Sequence, residues 1–306
     1  MNKKRKLKMC DWNAIHDEIN SLYSKENCTQ KHNRFFHYTT PEALLSIFKD
    51  YIDSGFPNNV TSCSMRASNL RFLNDAQEYK DGVQWIQTNL DESKVNLYSQ
   101  IYSISFCGQG DLLSQWKWYG KNSGVAIEFN PNNIQYEYWC CRDKALPSTD
   151  SQTKPLLIKY TDDEKSQYYK DIKALNEERK LNEDSDSIIG NLLVPFCKDK
   201  GFSEEKESRL VFYTFDSSEY GIDFKMQYYA SNGVIKPTLN VNFLSCDGKN
   251  NIVNSFIVGP GQNQNLIFNA LVHIFDRNNF NFCETETTHL CENGIIISKS
   301  SIPFRG

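Results

Sequence analysis

Glu205 and Glu207 have a residue type and a spacing that can carry chemistry. They lie two positions apart in GFSEEKESRL, residues 201–210, so in an extended chain they point to the same side. If Glu205 lies in the loop, the two bracket the junction between the loop and a strand. A carboxylate there can accept hydrogen bonds from sugar hydroxyls and can stabilise an oxocarbenium-like cation. A charged loop rim in which Arg209 pairs with one glutamate explains the same pattern.

His37 is the second candidate, within RFFHYTTPEALLSIF, residues 34–48. Aromatic and polar residues alternate over 34–39, which is typical of a half-buried strand. Thr40 as N-cap and Pro41 in the first turn then predict a helix. A histidine fixed just before such a turn can face a ligand, and it can equally be a buried core residue.

A third segment, ISFCGQGDLLSQWKWYG at residues 104–120, combines a strand, a glycine-rich turn and aromatic residues. Ser105 and Tyr119 are its polar candidates. Aromatic planes near a turn can stack on a flat heterocycle, although Trp116 is expected to plug the end of a core. Asp111 is predicted to cap a short helix over 112–119.

A fourth segment is RASNLRFLNDAQEY, residues 66–79. Asn74 and Asp75 are expected to form a turn and a helix cap. A ligand role for Arg71, Asp75 or Glu78 is the alternative interpretation.

Strands are predicted along the whole chain, with helices at irregular intervals between them. These elements must position the candidate residues. Strands are predicted over residues 34–39, 65–73, 101–107, 124–129, 156–160, 207–215, 222–229, 252–258 and 294–298. Helices are predicted over residues 11–24, 41–48, 76–90, 112–119, 161–181, 188–200 and 266–275. The strands 207–215 and 222–229 are expected to form a hairpin. This order predicts an α+β fold with a mixed or antiparallel sheet.

Composition narrows the function classes. The net charge of −4 argues against a wide basic surface for binding nucleic acid, although it does not exclude a local basic groove. The ten cysteines and five histidines show no zinc spacing, and the sequence has no P-loop and no GxGxxG. No metal site is therefore expected. The apolar runs are too short to span a bilayer, and the basic N-terminus lacks a signal-peptide core, so a cytoplasmic protein with reduced thiols is expected.

Two regions are expected along the chain. Residues 1–33 are predicted to form a basic tail and a helix. Residues 34–306 are predicted to form a single domain, with a charged helical insertion near 161–200.

The quoted segments together resemble a bacterial family known as domain of unknown function 2971. The resemblance covers roughly residues 34–305 and rests on HYTT before a helix, LRFLNDAQEY, ISFC…DLLSQWKWYG…GVAIEF, GFSEEKESRL, IVNSFIVGPG and SIPFR. Ser208 departs from the pattern, because the family usually has a tryptophan there.

This family in turn resembles a divergent ADP-ribosyltransferase fold, in which two small sheets flank an NAD cleft. Its triads read His-Tyr-Glu or Arg-Ser-Glu in chain order. The chain presents His37, then Ser105 or Tyr119, then Glu207 in that order. Glu205 matches the first residue of a two-glutamate loop found in some members.

The resemblance implies a role for each residue. His37 would hold the hydroxyls of the adenosine ribose, Tyr119 would stack on nicotinamide, and Glu207 would stabilise the oxocarbenium-like state. Glu205 would orient or deprotonate the acceptor. Further contacts to NAD are assigned to Tyr38, Thr39, Arg71, Asp75, Ser105 and Trp116. His37 and Glu207 are expected to face one cleft, within about 15 Å of each other.

The implied function is an NAD-dependent ADP-ribosyltransferase or NAD glycohydrolase that acts as a bacterial toxin or antiviral effector. NAD would be its substrate, with no metal and no membrane involved. The acceptor could be protein, DNA, RNA or a free nucleotide. An antitoxin or a defence-system protein is a possible partner. The alternative is a catalytically silent protein of the same fold that binds a nucleotide or a partner. A nuclease or nucleic-acid modifier that does not use NAD is disfavoured, because the sequence shows no clustered Asp/Glu/His metal site.

Overall fold

The structure is a computed structural model that describes residues 34–73, 76–89, 101–120, 124–139, 145–147, 155–178, 185–213, 226–231, 233–276 and 285–304. The predicted basic N-terminus, the predicted helix over 11–24 and Asp75 lie outside these residues.

The described elements alternate irregularly between strands and helices. The strands are β1 (Phe35–Thr39), β2 (Ser62–Asn69), β3 (Ile101–Phe106), β4 (Val125–Phe129), β5 (Ile134–Trp139), β6 (Ala145–Pro147), β7 (Leu156–Leu157), β8 (Ser208–Tyr213), β9 (Gln227–Ser231), β10 (Val234–Ser245), β11 (Val253–Val258), β12 (Thr288–Leu290) and β13 (Ile296–Lys299). The α-helices are α1 (Pro41–Ile47), α2 (Lys49–Asp53), α3 (Ala76–Asn89), α4 (Leu113–Gln115), α5 (Asp162–Glu178), α6 (Ser185–Leu193) and α7 (Gln264–Phe275). A π-helical turn over Trp116–Gly120 follows α4, and 3-10 turns cover Leu70–Phe72, Val194–Phe196 and Lys200–Glu205.

Two sheets confirm the predicted α+β class. A five-stranded sheet has the order β1-β4-β11-β13-β12 and is mixed, because β11 and β13 run parallel while β1 and β4 run antiparallel. An eight-stranded sheet has the order β6-β5-β10-β2-β3-β8-β7, with β9 paired to β10.

The chain divides into two compact units. Among the described residues, unit 1 comprises Arg66–Ser105 and Tyr138–Asn240, and unit 2 comprises 34–65, Phe106–Glu137 and Val241 onward. The expectation of a single domain over 34–306 stays a prediction.

Unit 2 contains the predicted strand and helix around His37. The aromatic alternation places Phe36 and Tyr38 of β1 in a buried cluster with Trp116 and Ala126. Thr40 ends the strand and caps α1, because its Oγ1 accepts a hydrogen bond from the Ala43 N–H at 3.3 Å. The predicted strand, cap and helix are thus confirmed.

Unit 1 is built around a second cluster that joins α3, α5 and α6. Tyr168 and Ile172 of α5 are buried in this cluster together with Ile86 of α3. The charged helix predicted over 161–181 therefore has an apolar face inside the unit.

The predicted hairpin of 207–215 with 222–229 is wrong. β8 lies between β3 and β7, while β9 pairs antiparallel with β10. The reason is that Ser231 pairs with Val234, and Gly233 between them has a φ of 75°, a conformation that glycine adopts readily and that tight hairpins use.

Candidate functional site

Glu207 lies in a buried cluster of two acids and two bases, all within unit 1. Arg209 donates from Nε to Glu207 Oε1 at 2.6 Å and from Nη2 to Oε2 at 3.1 Å. Lys198 Nζ donates to Glu207 Oε2 at 2.9 Å and to Glu205 Oε2 at 2.6 Å. We call these four residues the charge cluster. Both candidate glutamates thus bind one ammonium group.

The charge cluster forms where the chain turns into β8. The 3-10 turn Lys200–Glu205 ends at Lys206, which adopts the left-handed conformation with a φ of 45°. This sharp junction lets the side chains of Glu205 and Glu207 reach the same lysine. The conformation is uncommon for a residue with a Cβ, and such residues concentrate at functional sites.

Neutral groups complete the surroundings of the charge cluster. The Tyr160 hydroxyl accepts a hydrogen bond from the Glu207 backbone N–H at 2.8 Å. Arg209 Nη1 donates to the Pro195 carbonyl at 3.0 Å. Burial and the nearby Glu207 carboxylate raise the pKa of Tyr160, so its hydroxyl stays protonated. The cluster is therefore held by backbone as well as by charge.

The two cations keep Glu207 ionised although it is buried. The exposed fractions of the side chains are 5% for Glu207, 4% for Lys198 and 1% for Arg209. Burial raises the pKa of Glu207, but the charges of Arg209 and Lys198 outweigh burial and bring the pKa well below its ordinary value. Glu205 is the more accessible acid, with 14% of its side chain exposed.

Ser105 contacts the same carboxylate. Its hydroxyl forms a hydrogen bond with Glu207 that helps to lower the pKa of that residue. Ser105 lies on β3, which is the sheet neighbour of β8, so the pairing of the strands sets the contact. Ser105 of the segment 104–120 is thus brought together with Glu207 of the segment 201–210.

Tyr38 and Trp116 pack against each other inside unit 2. Their ring centroids lie 4.6 Å apart in an edge-to-face arrangement. The Tyr38 hydroxyl donates to the Gln109 carbonyl at 2.9 Å and accepts from the Leu112 N–H at 3.0 Å. Burial raises the pKa of Tyr38. Both residues are core residues, and their assignment to an NAD site stays a prediction.

Asp111 holds the Trp116 indole instead of capping the helix that follows. Its carboxylate accepts from Trp116 Nε1 at 2.7 Å and from the Ser301 N–H at 2.9 Å. The N-cap of α4 is Leu112, which makes no capping hydrogen bond through its side chain. The predicted cap is therefore wrong, because a tertiary partner takes the carboxylate.

The remaining described candidates are His37, Thr39 and Tyr119 in unit 2 and Arg71 in unit 1. His37 is half-buried on β1, with its ring edge-on to Phe106 at 6.2 Å between centroids. Thr39 is buried, and Tyr119 is half-buried against the cluster that contains Trp116. Arg71 is exposed in a 3-10 turn of unit 1. His37 belongs to unit 2 and Glu207 to unit 1, so their expected common cleft stays a prediction.

Sequence reasoning missed Lys198 and Tyr160. Lys198 lies in PFCKDKG, a segment with two lysines and no periodic signal that singles out either of them. Lys198 is held near Glu207 by its backbone, because the Lys198 N–H donates to the Lys159 carbonyl at 3.2 Å just before the 3-10 turn Lys200–Glu205. Tyr160 is the last residue of the strand predicted over 156–160, of which the structure forms only Leu156–Leu157 as β7. Nothing local in the sequence indicates the partner of its hydroxyl.

No helix within the described residues has the length and apolar character needed to cross a membrane.

The comparisons with known proteins support the family resemblance over part of the chain. The sequence model of a family described as a protein of unknown function, DUF2971, matches residues 115–210. The matched range is less than half of the chain and includes Trp116, Tyr119 and the charge cluster. No curated protein and no solved structure matches the chain.

Proposed function

We propose that the protein is an NAD-dependent ADP-ribosyltransferase or NAD glycohydrolase that uses the charge cluster. The observation that carries the proposal is the convergence of Ser105, Glu205 and Glu207. Ser105 bonds to Glu207, and both glutamates bind Lys198. A serine in contact with a carboxylate that is ionised at neutral pH agrees with the Ser-Glu half of the triad that the sequence suggested.

In the proposed reaction, the bond between the nicotinamide nitrogen and ribose C1′ breaks, and its electron pair leaves with nicotinamide. The Glu207 carboxylate would stabilise the oxocarbenium-like ribose that remains. A hydroxyl or amine of the acceptor, or water, would attack C1′. Glu205 would take the proton of that nucleophile and pass it to solvent.

Glu205 suits the proton-accepting role because it is the more accessible glutamate of the pair. Lys198 would have to exchange its contact with Glu205 for solvent or substrate during turnover. His37, Tyr38, Thr39, Arg71, Asp75, Trp116 and Tyr119 complete the proposed NAD contacts.

The biological setting that accompanies this proposal is a bacterial toxin or antiviral effector in the cytoplasm. Its acceptor would be a protein or a nucleic acid. An antitoxin or another defence protein would be its partner.

The test is release of nicotinamide from labelled NAD by purified protein, with nucleic acid and cell lysate supplied as acceptors. Wild type should release nicotinamide or transfer ADP-ribose, detected as added mass. Glu207→Gln should lower the rate at least about 100-fold, as loss of a transition-state contact does. Glu204→Gln is the matched control, since Glu204 is an exposed acid of the same turn, and it should keep the wild-type rate. A wild type that neither consumes NAD nor transfers from it rules out the proposal.

The second candidate is a catalytically silent protein that binds a nucleotide or a partner. It is favoured by the burial of Glu207, of which 4% is exposed, since a substrate-contacting carboxylate is usually more open. Here the charge cluster would be purely structural. Equal NAD binding by wild type and Glu207→Gln, measured by calorimetry without turnover, would select this candidate.

A further inference from the structure

Three side chains with metal-binding atoms meet at one end of α7 in unit 2. Asp276 follows the last residue of α7, His289 lies on β12, and Cys291 follows β12. A carboxylate oxygen of Asp276, a ring nitrogen of His289 and the Sγ of Cys291 all lie within 4.8 Å of one another. The three residues are spread over separate elements, which is why sequence spacing predicted no metal site.

The donor set matches the chemistry of zinc. Thiolate, imidazole and carboxylate are the ligands that Zn²⁺ binds in proteins, and a thiolate disfavours magnesium and calcium. Ligand atoms around tetrahedral zinc lie about 3.3 to 3.8 Å apart, given bond lengths near 2.0 to 2.3 Å. The observed separations bracket that spacing, from 2.7 Å between His289 Nε2 and Asp276 Oδ2 to at most 4.8 Å within the group. Residue exposures of 5% for Asp276, 8% for His289 and 2% for Cys291 place the group inside the protein.

The Glu286 carboxylate lies beside the second ring nitrogen of His289. His289 Nε2 lies 2.7 Å from Asp276 Oδ2, while Nδ1 lies 3.4 Å from Glu286 Oε1. When the ion binds, the ring proton would lie on Nδ1 towards the outer carboxylate, so that Nε2 presents its lone pair to the ion. Zinc-binding histidines commonly have such an outer carboxylate.

The turn that contains Cys291 is held by its backbone. The Cys291 N–H donates to the Ile295 carbonyl, and the Gly294 N–H donates to the Cys291 carbonyl, both at 2.9 Å. Gly294 has a φ of 84°, which a residue with a Cβ rarely adopts. The backbone that carries the Cys291 thiol is therefore held in place by these hydrogen bonds.

We propose that Asp276, His289 and Cys291 bind one zinc ion, with Glu286 as the positioning carboxylate and solvent as the fourth ligand. Binding displaces the thiol proton of Cys291 to solvent. The ion would tie the end of α7 to β12 and the turn after it. This site does not depend on the NAD chemistry proposed for the charge cluster.

The first test is metal content and cobalt substitution of the full chain. Wild type purified without chelator should contain about one zinc per chain by mass spectrometry. Replacement by Co²⁺ should add a thiolate-to-cobalt charge-transfer band and the intense visible bands of a tetrahedral site. A wild type with neither stoichiometric zinc nor this band overturns the proposal without reliance on any variant.

Variants then locate the ion. Cys291→Ser and His289→Gln should lose the charge-transfer band or the zinc, whereas Cys246→Ser should keep both because Cys246 is an exposed thiol of the same unit. Glu286→Gln should keep the band but weaken zinc affinity about 10- to 100-fold. A Cys291→Ser protein that is folded by circular dichroism and retains the band overturns the assignment.

Discussion

At the scale of single residues, the Glu207 carboxylate is enclosed by partners that preserve its charge. Arg209, Lys198 and Ser105 all contact it, and their contacts keep it ionised while they cover it. Removal of one member of a buried pair leaves the other charge without compensation, which is costly. Variants of this cluster therefore need a measured unfolding free energy beside any activity.

Trp116 supports a residue-scale prediction through Gly259. A Cβ added at Gly259 would lie 2.6 Å from Trp116 Cε3, so Gly259→Ala must displace the indole and disturb its bond to Asp111. We expect the free energy of unfolding in urea to fall by about 1 to 3 kcal/mol, as overpacking of a core does.

The companion to that variant is Trp116→Leu, which removes the ring that the new methyl group would strike. In the Trp116→Leu background, Gly259→Ala should lower the free energy of unfolding clearly less than it does in wild type. Equal costs in the two backgrounds would show that the strain arises elsewhere.

At the scale of elements, α3 approaches the 3-10 turn Val194–Phe196 closely at Gly82. A Cβ on Gly82 would lie 2.9 Å from the Val194 carbonyl oxygen and 3.1 Å from its Cα. Alanine gains about 1 kcal/mol of helix propensity over glycine, but overpacking against backbone costs up to about 3 kcal/mol. We expect Gly82→Ala to lower the free energy of unfolding by about 1 kcal/mol.

Urea unfolding monitored by circular dichroism would measure this change. Gln84→Ala on the exposed face of α3 is the control and should stay within about 0.5 kcal/mol of wild type. A stabilised Gly82→Ala would mean that the helix and the turn separate easily.

Elements with local signals were predicted from the sequence, and elements that depend on distant partners were not. β1 and α1 were predicted because alternation, a capping threonine and a helix-starting proline agree over a few residues. β10 was missed because Pro237 lies within it, and proline within a run argues against a strand. The turn signal at Asn232-Gly233 would have corrected the pairing of β9.

The residues of the candidate site also fall into those with a local sequence signal and those that depend on distant partners. Glu205, Glu207 and Ser105 were found by residue type and motif, and Arg209 was foreseen as a pairing partner. Lys198 joins them only through the folded backbone, and the cluster at Asp276 depends on the contact of a helix end with a strand. These contacts form only in the folded protein, so the spacing of the residues along the chain does not predict them.

At the scale of the whole molecule, the lowered pKa of Glu207 makes stability depend on acid. The pKa is about 2 in the folded protein and about 4.3 in an unfolded chain. The corresponding stability is present above the unfolded pKa and is lost as the pH falls through this interval. One such group adds at most about 1.4 kcal/mol per pH unit to the slope.

Urea unfolding between about pH 3 and pH 7 tests this dependence. Glu207→Gln should flatten the acid slope of the unfolding free energy, besides lowering the free energy at neutral pH. Glu204→Gln should keep the wild-type slope. Parallel slopes for wild type and Glu207→Gln would contradict the assigned ionisation.

The order of strands in the five-stranded sheet has a consequence for biosynthesis. β1 and β4 are synthesised early, but the next strand of the sheet, β11, lies beyond residue 240. Asp111 likewise cannot accept its hydrogen bond from Ser301 until a further 190 residues have been synthesised. Every described residue of unit 1 leaves the ribosome before β11 does. Until then β1 and β4 form at most a two-stranded ribbon, which is marginal alone and exposes a pairing edge. That edge therefore stays open to pairing with other strands until β11 has been synthesised.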